Sequence, residues 1–192
     1  MVLFALVFGL SGCQWLQGEP SIGALTVKHH AKGETLFATD FGTGIYRLNS
    51  KHNLTLVLWS GPEQEPTEAV TMRMFWRPTA GGTPLDRTAT NVTVQYIDFD
   101  GAEADAKIGI YSGAGFLYPK SNFGKGHLEF EVWQATLRLS VWSEGYEQPL
   151  VRGELIGRFR ANRDDVGVTE AIRRLNVQVS ERLGYPRLVS AQ

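Results

Sequence analysis

Of the 192 residues, Cys13 is the single cysteine, so no disulfide can form within one chain. The apolar run Val2–Leu10 is far shorter than the roughly 20 residues a transmembrane helix needs. Neither sign of charge is in excess: Lys+Arg number 19 and Asp+Glu 20, a formal net charge of −1. A nucleic-acid binder needs a basic field to neutralise phosphates, so no nucleic-acid partner is expected. The chain also lacks an HExxH zinc pair and a G-x-S-x-G nucleophile elbow. It carries no convincing repeat and no low-complexity tract. What remains is a chain of one-domain size, rich in glycine (21) and with 11% aromatics, a composition that suits a β-rich fold with many turns. At this length roughly 70% of the extended-chain surface is buried on folding, so neither disulfide nor metal is required for stability.

The N-terminus is the most specific stretch. Val2–Leu10 fits the apolar core of a secretory signal, and Leu10-Ser11-Gly12-Cys13 follows at once. This resembles the lipobox of bacterial lipoproteins: an aliphatic residue, two small ones, then the cysteine that is lipidated and becomes the mature N-terminus. The resemblance covers the first residues only and concerns location. It implies a signal peptide over 1–12, acylation (palmitate among the chains) at Cys13, and a short polar tether over 13–23. Met1 leads straight into Val2 without Lys or Arg, from which a start codon set too late is expected. Two or more acyl chains, at about 0.8 kcal/mol per buried CH₂, hold a protein stably on a bilayer. Gln14 after the cysteine, rather than Asp, resembles the outer-membrane pattern where a cell has two membranes. The plain alternative is a chance or buried thiol.

Periodicity predicts one β-rich domain over 24–192. Strands are expected at Leu25–His29, Thr35–Asp40, Ile45–Leu48, Asn53–Trp59 (apolar on both faces, hence central) and Ala69–Trp76, where Met72, Met74 and Trp76 share a face. Thr90–Phe99 and Lys107–Tyr111 form a hairpin across Asp100–Asp105, with Gly113–Gly126 read as a loop and possible contact surface. In Leu128–Val141, Leu128, Phe130 and Val132 share one parity and Ala135, Leu137, Leu139 and Val141 the other; this slip predicts a β-bulge near Trp133-Gln134. Val151–Ala161 alternates cleanly and should pair with it. Val168, Ile172, Leu175, Val179 and Leu183 recur at helical spacing, placing a helix at about 166–184 after Asp164 and Asp165, with Glu170 and Arg174 spaced to pair. Strands followed by one helix predict an antiparallel β-sandwich or partly open β-barrel with a C-terminal helix packed on it.

Candidate chemistry is sparse. Asp98, Asp100 and Asp105 alternate like carboxylates of a calcium loop, but Gly101 comes too early and position 12 is Gly109, so a hairpin with a solvated acidic tip explains them as well. His29 and His30 are adjacent and face opposite sides of a strand; His52 and His127 lie elsewhere. No cofactor and no catalytic residue are indicated. Among the tryptophans, Trp133 and Trp142 stand out as a possible sugar or apolar-ligand surface, against core filling for the rest. The expected function is an envelope lipoprotein of binding or structural type that contacts a protein, glycan or lipid. The alternatives are a carrier holding an apolar molecule between sheet and helix, whose cavity Met72, Met74 and Phe130 would line, and an envelope-polymer hydrolase.

Overall fold

A computed structural model describes residues 24–29, 35–41, 43–49, 53–77, 88–100, 106–120, 126–147 and 152–187, with the backbone alone for 24–29 and 35–40. Cys13, the tether, His30, His52, Asp105 and the loop at 78–87 lie outside the described residues.

The fold is a β-barrel with one helix on its outer wall. Its strands are β1 (Ala24–His29), β2 (Thr35–Asp40), β3 (Thr43–Leu48), β4 (Leu54–Ser60), β5 (Glu68–Met74), β6 (Val92–Asp100), β7 (Lys107–Pro119), β8 (His127–Trp142) and β9 (Arg152–Arg163), followed by the helix α1 (Asp165–Leu183). From β3 to β9 the strands form a seven-membered ring. Six of its pairings are antiparallel. The ring closes where β3 meets the end of β9 in parallel, through Ile45–Asn162 and Tyr46–Arg163 alone. Nearer its start, the same edge of β9 pairs with β1, which in turn carries β2.

Strand alternation explains two separate cores. Leu54, Leu56 and Leu58 of β4 point into the ring with Val70, Met72, Met74, Val94, Phe130, Val132, Leu155 and Phe159, all buried. Val57 and Trp59, of opposite parity, point outward and are buried under α1 with Ile97, Phe99, Ile108 and Ile110. The helix supplies Val168, Ala171, Leu175 and Val179, one apolar stripe at helical spacing. Its ends are built as the sequence requires. Asp164, in extended geometry, accepts a hydrogen bond from Gly167 N at 2.7 Å. Gly184 takes the left-handed conformation (φ 74°) that ends the helix. Arg182 lies over the Phe99 ring at 5.0 Å, closing the helix against the wall.

Several expectations need correction. The second hairpin arm does not end at Tyr111: β7 continues to Pro119, through the glycines read as loop. Trp76 does not share a strand face with Met72 and Met74, because β5 ends at Met74 and the chain bends outward. Val141 does not stay with Leu139, since a second irregularity near Ser140 turns Val141 to the helix side. Glu170 bonds Arg173 rather than Arg174, and Arg174 instead reaches Glu63 in the loop after β4.

Candidate functional site

The bulge in β8 builds the most distinctive surface of the molecule. Val132 pairs with Gly157 and Ala135 with Leu155, so Trp133 and Gln134 together oppose Ile156 alone. Val132 and Ala135 both point inward. The two residues between them therefore share the outer face, which regular alternation would forbid.

β7 is fitted to this bulge by Asn91. Its buried carboxamide accepts from Leu117 N at 2.7 Å and donates to Leu117 O at 2.9 Å, while its backbone N–H donates to Gly115 O at 3.0 Å. The segment between, Phe116, is pinned with its ring on the outer face, where Trp76 and Trp133 cover it to 1% exposure. A row of aromatics results. Trp76 meets Phe116 edge-on with centroids 5.8 Å apart, Phe116 meets Trp133 at 5.9 Å, and Trp133 stacks on Tyr118 at 5.8 Å. Each such pair is worth about 0.5–1.5 kcal/mol beyond its buried area. The Trp76 indole N–H donates to Thr90 O at 2.9 Å, which fixes that end of the row.

Charged groups frame the other end. Glu131, two residues before Trp133, forms ion pairs with Lys120 and with Arg158 of β9 (3.6 Å) and accepts a hydrogen bond from the Trp133 side chain. Burial works to raise its pKa, but the hydrogen bonds from Lys120 and Trp133 and the neighbouring cationic charges outweigh it, holding the carboxyl below its ordinary 4.5. Lys120 also lies over the Tyr118 ring at 5.3 Å. Gln134 donates to Glu154 at 2.7 Å. Between these groups lies an open cavity of about 320 Å³, lined by Phe116, Glu131, Trp133, Gln134, Ile156 and Arg158, with backbone at Val132 and Gly157. That volume lies at the small end of ligand pockets.

A second cluster occupies one end of the barrel. The Tyr146 hydroxyl donates to Asp98 Oδ2 at 2.6 Å and lies 3.2 Å from the Tyr111 hydroxyl; Tyr96 donates to Glu68 at 3.0 Å, and Glu68 and Asp98 are direct cross-strand partners. Burial pushes the Asp98 carboxyl above its ordinary 3.8; the Tyr146 hydrogen bond opposes this, and Glu68 and Asp100 add to the rise. Burial, and then Asp98, raise Tyr146.

Of the residues singled out from sequence, Asp98 belongs to this interior cluster, and Asp100 is exposed at the strand end opposite Lys107. Asp105, the third of the alternating carboxylates, is outside the described residues, among which no three His, Cys, Asp or Glu side chains gather as a ligand set. His127 is exposed at the start of β8, and the backbone of His29 pairs with Gly153. Trp133 lines the cavity, whereas Trp142 is half exposed where β8 ends opposite Gly109, away from it. Trp59 is core under the helix. Sequence reasoning held Phe116 only as part of a loop read as a contact surface, and missed Asn91, Ile156 and Arg158 as site residues. The signal that could have found them was the parity slip at Trp133-Gln134, which marks where the neighbouring strands must adapt. Comparison of the chain with protein-family models, curated proteins and solved structures gave no match, so the functional reading rests on this geometry.

Proposed function

We propose that the chain is an envelope lipoprotein of the binding type, held to a membrane through lipidated Cys13 and engaging its partner at the Trp133 cavity. The observation that carries the binding reading is a filled barrel interior beside a recessed outer cavity. Met72, Met74 and Phe130, which would line a carrier's cavity, are each at most 1% exposed within a continuous core. Between sheet and helix, the space bordered by Val57, Trp59, Ala171 and Leu175 is about 10 Å³, room for roughly one water. An apolar cargo inside the fold is therefore less well supported than a partner on its surface. For a hydrolase, the Asp98 carboxylate is already engaged by Tyr146.

The tether is supported by the lipobox residues and is tested by expressing the chain behind a complete bacterial secretory signal that keeps Leu10-Ser11-Gly12-Cys13. Intact mass and membrane fractionation are compared with Cys13→Ser. Acyl mass in the membrane fraction for the native protein, and an unmodified soluble variant, are the expected results; two unmodified soluble proteins overturn the tether. The cavity is tested by co-sedimentation with isolated envelope fragments. Trp133→Ala should lower binding and Trp142→Ala should leave it unchanged; equal effects overturn the assignment.

A further inference from the structure

Resting on that reading of the cavity as the binding site, we infer that its ligand is a neutral saccharide, one pyranose ring lying against the Trp133 indole. Three features of the wall lead there. First, the charges are already balanced within the protein. Glu131 is paired with both Lys120 and Arg158, and Gln134 with Glu154. An ionic ligand would have to compete with these part-exposed pairs for the same groups, whereas a neutral one leaves them intact. Second, the apolar part of the lining is aromatic: the Trp133 indole, tilted 37° from the covered Phe116 ring, with Ile156 beside them. A sugar ring offers a face of C–H groups, which carry partial positive charge, to the negative face of an indole.

Third, Glu131, Gln134 and Arg158 stand at the edge of that aromatic floor. They hold carboxylate, carboxamide and guanidinium groups whose remaining lone pairs and N–H groups suit hydroxyls arranged around a ring. An acyl chain would cover the same groups with hydrocarbon and leave their hydrogen-bonding positions beyond the existing pairs unmet. The wall is also recessed, with Phe116 at 1% exposure, unlike the protruding aromatics that seat a protein at a membrane surface. The Trp133–Glu131 hydrogen bond fixes the indole before the ligand arrives, so little rotamer entropy is lost on binding. Beyond the cavity the row continues to Trp76, which is 36% exposed, so a chain of sugars has a second ring to lie on.

The test uses the full acylated protein in a detergent with no sugar headgroup. It is titrated with chitotetraose and cellotetraose, with polygalacturonate as the acidic competitor and with phosphatidylethanolamine–phosphatidylglycerol vesicles as the lipid competitor. Tryptophan fluorescence and calorimetry read the binding. Saturable binding of a neutral oligosaccharide is expected, weakened at least tenfold in Trp133→Ala, weakened severalfold in the surface variant Gln134→Ala, and unchanged in Trp142→Ala. The Gln134 variant keeps the test valid if Trp133→Ala fails to fold. If neither neutral oligosaccharide saturates, or if polygalacturonate or the vesicles bind more tightly, the saccharide inference is wrong. In that event, Trp133-dependent sedimentation with envelope fragments leaves the cavity standing as a binding site; loss of that dependence as well removes both.

Discussion

Asn91 satisfies both backbone groups of Leu117 with one side chain, donating to its carbonyl and accepting from its N–H. A carboxamide thus does the work of a neighbouring strand on the β6 edge of β7, beyond the point where β6 itself begins at Val92. Asn91 and Leu117 are both fully buried, so no water can take over. Asn91→Ala should therefore cost about 2–6 kcal/mol, since two buried polar groups are orphaned at about 1–3 kcal/mol each. Urea unfolding should show a lower midpoint at unchanged slope, together with a change in Trp133 fluorescence as Phe116 loosens. An unchanged midpoint would sink this account of Asn91.

Asp98 gives a pH dependence opposite to that of an ordinary paired carboxylate. Its folded pKa lies above the unfolded value near 3.8. Its contribution to stability is therefore largest below that unfolded value and is lost as pH rises through the folded pKa. Asp98→Asn keeps an acceptor for Tyr146 and removes the buried charge. The variant should melt higher than the native protein at pH 7, with the difference shrinking toward pH 4. Thermal melts across that range check this, and a lower melting temperature at pH 7 would contradict it.

Glu131 has the reverse sign. Its folded pKa lies below the ordinary 4.5, so its contribution is fully present above that value and is lost as pH falls through the folded one. Ligand affinity should stay flat from neutrality down to about pH 4.5 and fall below it, because the protonated carboxyl releases its cations and weakens its hold on the indole. Glu131→Gln should bind more weakly already at pH 7 and show no further acid loss. Titrations at graded pH decide between these outcomes.

The apolar contribution of the helix lies in its buried stripe. Leu175 is 4% exposed between α1 and the barrel wall, and Val177 on the opposite side is 46% exposed. Leu175→Ala should cost about 2–4 kcal/mol, and Val177→Ala less than about 0.5 kcal/mol. Equal losses in chemical denaturation would mean that the helix is not seated as described.

The legible parts of this fold are those where one residue type reports one environment. The two-faced apolar run Asn53–Trp59 announces a central strand, and Leu54–Ser60 is buried on both faces by barrel and helix. The slip between Val132 and Ala135 announces the bulge because the intervening positions would otherwise clash in parity. The slip near Ser140 was invisible because Val141 is apolar whichever core it enters. β7 was cut short for a different reason. Gly113 and Gly115 resemble loop residues, yet they lie where β8 crosses too closely for a side chain: a Cβ on Gly113 would overlap the Thr136 carbonyl oxygen. With that strand misread, Phe116 and Tyr118 could not be placed beside Trp133, and the cavity has no counterpart in any single stretch of sequence. Its pieces come from β7, β8 and β9, and only register brings them together.

The single edge of β9 that serves both β1 and the closing strand β3 has a mechanical consequence. Tension arriving from the N-terminal side enters the described fold at Ala24 and is borne first by β1. Its five residue pairs with β9, from Leu25–Gly157 to His29–Gly153, lie end to end with the two-pair seam rather than across it. The bonds of β9 to β8 lie on its other edge. Loss of β1 under load would therefore leave the two-pair seam in place but bare the edge of β9 at Ile156 and Gly157, which line the cavity.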